Sequence, residues 1–136
     1  MRVMVDVNVV LDVLLKRQPW ADEAVAVWEA NRTGRIDGCL VATAITNLYY
    51  VARRLVGAEK ALNSVCLCLA AFEVIAVDRA SITRATQMAG ADFEDNVLMS
   101  AALFSGVDAV VTRDAIGFAL SPVAIYSPSQ LLDLLR

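Results

Sequence analysis

The chain opens on a strand expected over residues 2–5, apolar from Val3 to Val5, that stops at a carboxylate, Asp6. Short apolar runs of this kind mark strands buried on both faces of a parallel sheet. The same pattern recurs at residues 39–41, 72–77, 109–111 and 123–126. Between these runs the apolar positions fall at helical spacing. Asn8 is expected to cap a helix reaching about Leu15, with Val9, Val10, Val13 and Leu14 inward. Pro19 suits the first turn of a helix over residues 20–33, whose inner face is Ala24, Val27, Trp28 and Asn31 and whose end is Gly34. Further helices are expected over 44–56, ended at Gly57, and over 58–69. Another spans 78–90, with Ala80, Ile82, Ala85 and Met88 as its apolar positions. One over 92–104 has an acidic first turn that suits its dipole, and the last begins at Pro128. Strands alternating with helices predict an α/β protein, a three-layer α/β/α sandwich around a mainly parallel central sheet. No linker, repeat or low-complexity stretch interrupts the 136 residues, so a single domain over 1–136 is expected.

Composition narrows the setting. Apolar residues make up 58% of the chain, and the mean hydropathy is +0.57. The uncharged stretch of residues 38–52 is 15 long, short of the roughly 20 apolar residues a spanning helix needs. Asp6 and Asp12 interrupt the opening run, unlike a signal peptide. The expectation is a cytoplasmic protein, not bound to membrane, whose surplus apolar surface is covered in an oligomer, a homodimer in the simplest case.

Cys39, Cys66 and Cys68 make a poor disulfide framework and are read as buried free thiols. The chain has no histidine. That removes Ser-His-Asp and Cys-His catalysis and leaves hydrolysis to carboxylates, lysine or a metal. With a net charge of −3 and a pI near 4.8, the molecule as a whole is not drawn to nucleic acid. A nucleic-acid substrate would have to be held by a local basic patch or through a metal.

The candidate chemistry lies in three aspartates. Asp6 closes the first strand, Asp95 stands in Asp92-Phe93-Glu94-Asp95, and Asp114 follows Val110-Val111-Thr112-Arg113. A parallel strand ending in an acid delivers it to the edge of the sheet where ligands bind in open α/β folds. Carboxylates gathered there repel unless a proton or cation neutralises them, so a hard divalent metal is the natural occupant.

The opening Val-Asp-Val-Asn-Val-Val-Leu-Asp, the Asp-Phe-Glu-Asp helix start and the Val-Val-Thr-Arg-Asp strand end together resemble the PIN-domain family. The resemblance spans essentially the whole chain, including the late Ser121-Pro122 and Ser127-Pro128-Ser129 segments. It implies a metal-dependent endoribonuclease using Mg²⁺ or Mn²⁺ on an RNA substrate, many members being VapC-type toxins held by an antitoxin protein. By that likeness Asp6, Asp95 and Asp114 would be the catalytic, metal-binding acids, with Asn8 orienting Asp6 or a metal-bound water. Thr112 would donate to a carboxylate or to the scissile phosphate. The family usually carries a further acid, generally Glu, where this chain has Asn47. That departure implies weaker metal binding or a single-metal site, with Asp92 or Glu94 making up the charge.

Simpler readings stand beside these. Asp92 is equally an N-cap, and Asp12 reads as a solvated helix acid. Among the basic residues Lys16, Arg17, Arg53, Arg54 and Arg113, the last is best placed to contact substrate phosphate or to pair with a site acid. Trp20, Trp28, Tyr49 and Tyr50 read as core or interface. The alternative function is a catalytically degenerate PIN-like module that binds RNA or a protein partner. A phosphate-accepting receiver domain lacks the expected acidic pair and late lysine. A nucleotide-binding enzyme lacks a Gly-rich phosphate loop.

Overall fold

The computed structural model describes residues 1–90, 92–118 and 121–136. Five strands, β1 (Arg2–Val5), β2 (Asp37–Val41), β3 (Glu73–Ile75), β4 (Ala109–Val111) and β5 (Ala124–Tyr126), form one sheet in the order β3-β2-β1-β4-β5. Every pairing is parallel: Met4 stands opposite Cys39 on one side and Val110 on the other. The helices are α1 (Val7–Leu14), α2 (Ala21–Arg32), α3 (Ala42–Val56), α4 (Ala58–Ala71), α5 (Arg79–Thr86), α6 (Phe93–Ser105) and α7 (Pro128–Leu134). A single 3-10 turn, Ile116–Phe118, lies between β4 and β5.

Because successive strand residues point to opposite faces, the sheet builds two cores. On one face Val3, Val5, Leu40 and Val111 meet Val9, Val10, Ala24, Val27, Leu48 and Leu131. On the other, Met4, Cys39, Val41 and Val110 meet Leu98, Met99, Ala102 and Phe118. The result is the α/β/α sandwich expected from the alternation of elements. Trp28 meets Phe72 edge to face, with ring centroids 4.9 Å apart, sealing the first core. Burial pushes the Cys39 and Cys68 thiols up to about 11, leaving both neutral and inert. Cys66 instead is exposed, so the expectation of three buried thiols holds for two. Among the described residues no helix is long and apolar enough to cross a membrane.

Three local expectations change. Asn8 does not cap α1; Asp6 does, with extended backbone and a carbonyl that accepts from the Val9 and Val10 amides. The inward face of α5 is Ser81 and Ala85, while Ile82 is 38% exposed and Ala80 lies outside. Asp78 sets that rotation by accepting from the Ser81 amide at 2.9 Å, and the Ser100 hydroxyl then donates to the Ser81 carbonyl at 2.9 Å. Asp12 is fully buried rather than solvated. It accepts from Arg113 Nε at 2.6 Å and from the terminal guanidinium nitrogen at 3.2 Å.

Candidate functional site

The chain passes from β1 outward to β2 and β3, then returns to β4 beside β1 and continues to β5. The strand order therefore reverses between β1 and β4, and the crevice beyond their C-terminal ends is where such sheets take ligands. Asp6 directly follows β1, and Asp114 follows β4 by three positions. Helix α6 leads into β4, so its first turn starts at the same edge. A cavity of about 170 Å³ there is lined by Asp6, Asn8, Asp92, Glu94, Asp95 and Asp114, with Val7, Val41, Thr43, Ala44 and Leu98 behind them. Those are five carboxylates, and no Lys or Arg stands among the lining residues. The arrangement gathers negative charge with no cationic side chain among the lining residues to offset it.

Each acid is held differently. Asp6 is 7% exposed, and its Oδ2 accepts from the Thr112 hydroxyl at 2.7 Å. Burial raises its pKa above the ordinary value; the Thr112 and Val7 hydrogen bonds oppose that, and Asp114 and Glu94 add to it. The same Thr112 oxygen accepts from the Asp114 amide at 3.0 Å, so one fully buried hydroxyl ties both strand ends together. Asp92 caps α6 by accepting from the Asp95 amide at 3.1 Å. Asp95 is partly buried, and its pKa is pushed up to about 6, first by burial and then by Asp92, Asp6, Asp114 and Glu94. The Oδ2 atoms of Asp95 and Asp114 lie 2.8 and 3.0 Å from the point where a Cβ on Gly117 would stand. These two acids thus share a cleft that only a glycine leaves open.

The donor set fits a hard divalent ion: all hard oxygens, several carrying charge, with mutual repulsion uncompensated. Asn8 adds to that fit. The residue lines the cavity, and its side-chain carbonyl is buried with no hydrogen-bond partner among the described residues. Against an all-protein cage, no three Asp, Glu or Cys groups among the described residues already converge as a metal-holding set. Glu94, Asp92 and Asp114 are exposed, and acids without a counter-ion spread apart. Such a site would hold its ion partly through water.

Two expected residues lie elsewhere. Asn47 is not among the lining residues; its amide donates to Glu94 Oε1 at 2.5 Å. Arg113 does not reach the cavity either. It grips Asp12 and stacks over Trp20, with its guanidinium carbon 3.9 Å from the ring centroid. Lys16, Arg17, Arg53 and Arg54 are likewise absent from the lining. Sequence reasoning placed Asn8 at the site but missed Gly117, for which a Gly soon after an Asp-bearing strand end was the available signal.

A family model described as PIN domain matches residues 2–115. No curated protein matches the chain. Among solved structures, it is similar to the DNA-bound VapBC of Salmonella typhimurium at 19% identity and a TM-score of 0.72, over 94% of this chain and 98% of that one. VapC20 of Mycobacterium tuberculosis, described as a sarcin-ricin loop cleaving toxin, matches at 12% identity and a TM-score of 0.72, over 87% and 94%. A toxin-antitoxin complex from Klebsiella pneumoniae matches at 16% identity and a TM-score of 0.68, over 93% and 97%. At these identities the likeness is one of fold.

Proposed function

The chain belongs to the PIN-domain family, and we propose that it is a Mg²⁺- or Mn²⁺-dependent endoribonuclease, the toxin of a toxin–antitoxin pair. The observation that carries this reading is the cavity at the switch point, lined by five acids and by Asn8 with no basic residue among its lining residues. In this reading Asp6, Asp95 and Asp114 hold the ion. When bound, the ion supplies a lowered water pKa and charge relief at the phosphoryl oxygens. Thr112 fixes Asp6 through its hydroxyl, so that the acid presents its other oxygen in one orientation. Asp92 fixes the backbone of Asp95. Asp95 would hold the ion as a carboxylate, and Asn8 would offer its side-chain carbonyl as a hydrogen-bond acceptor.

The partner follows from the same electrostatics. A surface of five acids is complementary to a basic segment of a second protein, and the fold neighbours include VapBC of Salmonella typhimurium and a toxin-antitoxin complex from Klebsiella pneumoniae. Exposed leucines on α3 and α4, Leu55 at 65%, Leu62 at 58% and Leu69 at 56%, support a second copy as cover for that face.

The test is thermal unfolding under Mn²⁺ and Mg²⁺ titration, for this chain and for Asp6→Asn, followed by RNA cleavage. A ligand that binds only the folded state stabilises it by about 2.7 kcal/mol at a hundredfold excess over Kd. The expected outcome is a rise in melting temperature and a metal-dependent cleavage, both lost in Asp6→Asn. No rise at millimolar metal would reject the nuclease in favour of the degenerate binding module.

A further inference from the structure

Glu94 occupies the second position of α6, where a glutamate ordinarily extends into solvent and keeps its rotamer freedom. Here it lines the cavity, and the Asn47 amide, from α3 and 47 residues earlier in the chain, donates to its Oε1 at 2.5 Å. The chemistry of that tether matters. An arginine or lysine at position 47 would cancel the carboxylate's charge, as Arg113 does for Asp12. An acid there would drive it away. An amide fixes one oxygen and leaves both the charge and the second oxygen uncommitted. Three of the other four acids of the site are already engaged through neutral donors of the same kind: Asp6 by the Thr112 hydroxyl, Asp92 by the Asp95 amide, and Asp114 by the Gly117 amide at 3.2 Å. Every carboxylate around this cavity that has a protein partner is oriented without being neutralised, and the Asn47–Glu94 pair obeys the same rule across two helices.

We infer that Glu94 is an ion-facing acid of the site and that Asn47 is its positioning residue, the pair replacing a carboxylate borne directly on α3. This rests on the metal-site reading above. It gives Asn47 a job that needs an uncharged donor, and so makes asparagine at this position a working part of the site.

The experiment is a Mn²⁺ titration of thermal unfolding of the full chain carrying Asn47→Ala, Glu94→Gln, or both. Each single change is expected to weaken apparent Mn²⁺ affinity by about tenfold, the scale on which ligands and their orienting partners act. The double variant should be no weaker than Glu94→Gln alone, because Asn47 acts only through Glu94. Metal-free melting temperatures should stay at the wild-type value, since the hydrogen bond is exposed. Independent, additive losses would overturn the positioning role, and wild-type affinity in Glu94→Gln would overturn the whole inference. A wild-type chain that binds no Mn²⁺ rejects the metal-site reading and this inference together. Binding that is lost in Asp6→Asn but kept in Glu94→Gln rejects this inference alone.

Discussion

Asp6 and Asp12 bracket most of α1, both are buried, and consecutive residues after β4 serve them: Thr112 reaches Asp6 and Arg113 reaches Asp12. The difference is the charge of the partner. Asp12 receives a guanidinium on both oxygens, and that guanidinium is itself sandwiched against Trp20. Asp6 receives one hydroxyl, and its charged neighbours, Asp114 and Glu94, have its own sign. The first acid is compensated within the protein and serves the fold. The second is left with repulsion that a cation would relieve. Burial of an aspartate is therefore no guide to function here; the sign of what faces it is.

The sharpest way to break that contrast is to remove the compensation. Arg113→Gln leaves Asp12 buried with no cation, a change that costs about 3–5 kcal/mol when one partner of a buried pair is lost. Urea unfolding should show that loss in full, at unchanged metal response relative to the folded fraction. Asp6→Asn should do the opposite: metal-free stability unchanged or raised, metal response abolished. If Arg113→Gln cost less than about 1 kcal/mol, in the range of an exposed pair, Asp12 would not depend on its partner and the distinction would fail.

That pair also marks where the sequence stops being readable. The strands were legible because both faces of a parallel sheet are buried, so residues 3–5 and 109–111 are uniformly apolar. Asp6 was legible because it ends such a run, and Asp114 because it follows one by three positions. Asp12 was misread as solvated because its partner is 101 residues away, and no helical periodicity encodes a contact of that range. Arg113 was expected at the acidic edge for the same reason: successive residues leaving a strand point to opposite sides, and only the packed structure says which side holds the acids. Asn47 was visible as an uncharged residue, but its tie to Glu94 lies between two helices that sequence spacing does not bring together. On α5 a polar residue, Ser81, took the buried position from Ile82 because a cap and a hydroxyl–carbonyl bond to α6 outweighed the apolar pattern.

A second contrast lies in proton binding. Asp95 sits at about 6 in the metal-free protein against an ordinary value of 3.8. Its folded pKa is raised, so its contribution to stability is present below about pH 4 and is lost as the pH rises through 6. Metal-free chain should thus gain stability on acidification from pH 7 to 5, and Asp95→Asn should lose that gain. With Mn²⁺ present the direction reverses. The ion must displace the proton, so apparent affinity should fall by about tenfold per pH unit below 6 for one proton released. A Mn²⁺ affinity that stays flat between pH 7 and 5 would mean that Asp95 does not meet the ion.

The smallest change expected to matter is a single methyl group. Gly117 lies in the 3-10 turn after β4, and its own amide donates to Asp114 Oδ1. Replacing it with alanine keeps that hydrogen bond and demands no left-handed backbone. The new Cβ, however, would stand 2.8 Å from Asp95 Oδ2 and 3.0 Å from Asp114 Oδ2, closer than carbon and oxygen pack. The carboxylates must swing apart, and in the metal-free protein that costs little, because they already repel. The expected result is metal-free stability within about 1 kcal/mol of wild type and a several-fold loss of Mn²⁺ affinity. Gly34 is the control that separates the two effects. Its φ of +75° penalises alanine, while nothing lies within 4 Å of the added Cβ. Gly34→Ala should therefore cost about 1 kcal/mol of stability and leave Mn²⁺ affinity alone. If Gly117→Ala bound Mn²⁺ as the unmodified chain does, the ion would not lie between Asp95 and Asp114, and its centre would shift toward Asp6 and Glu94.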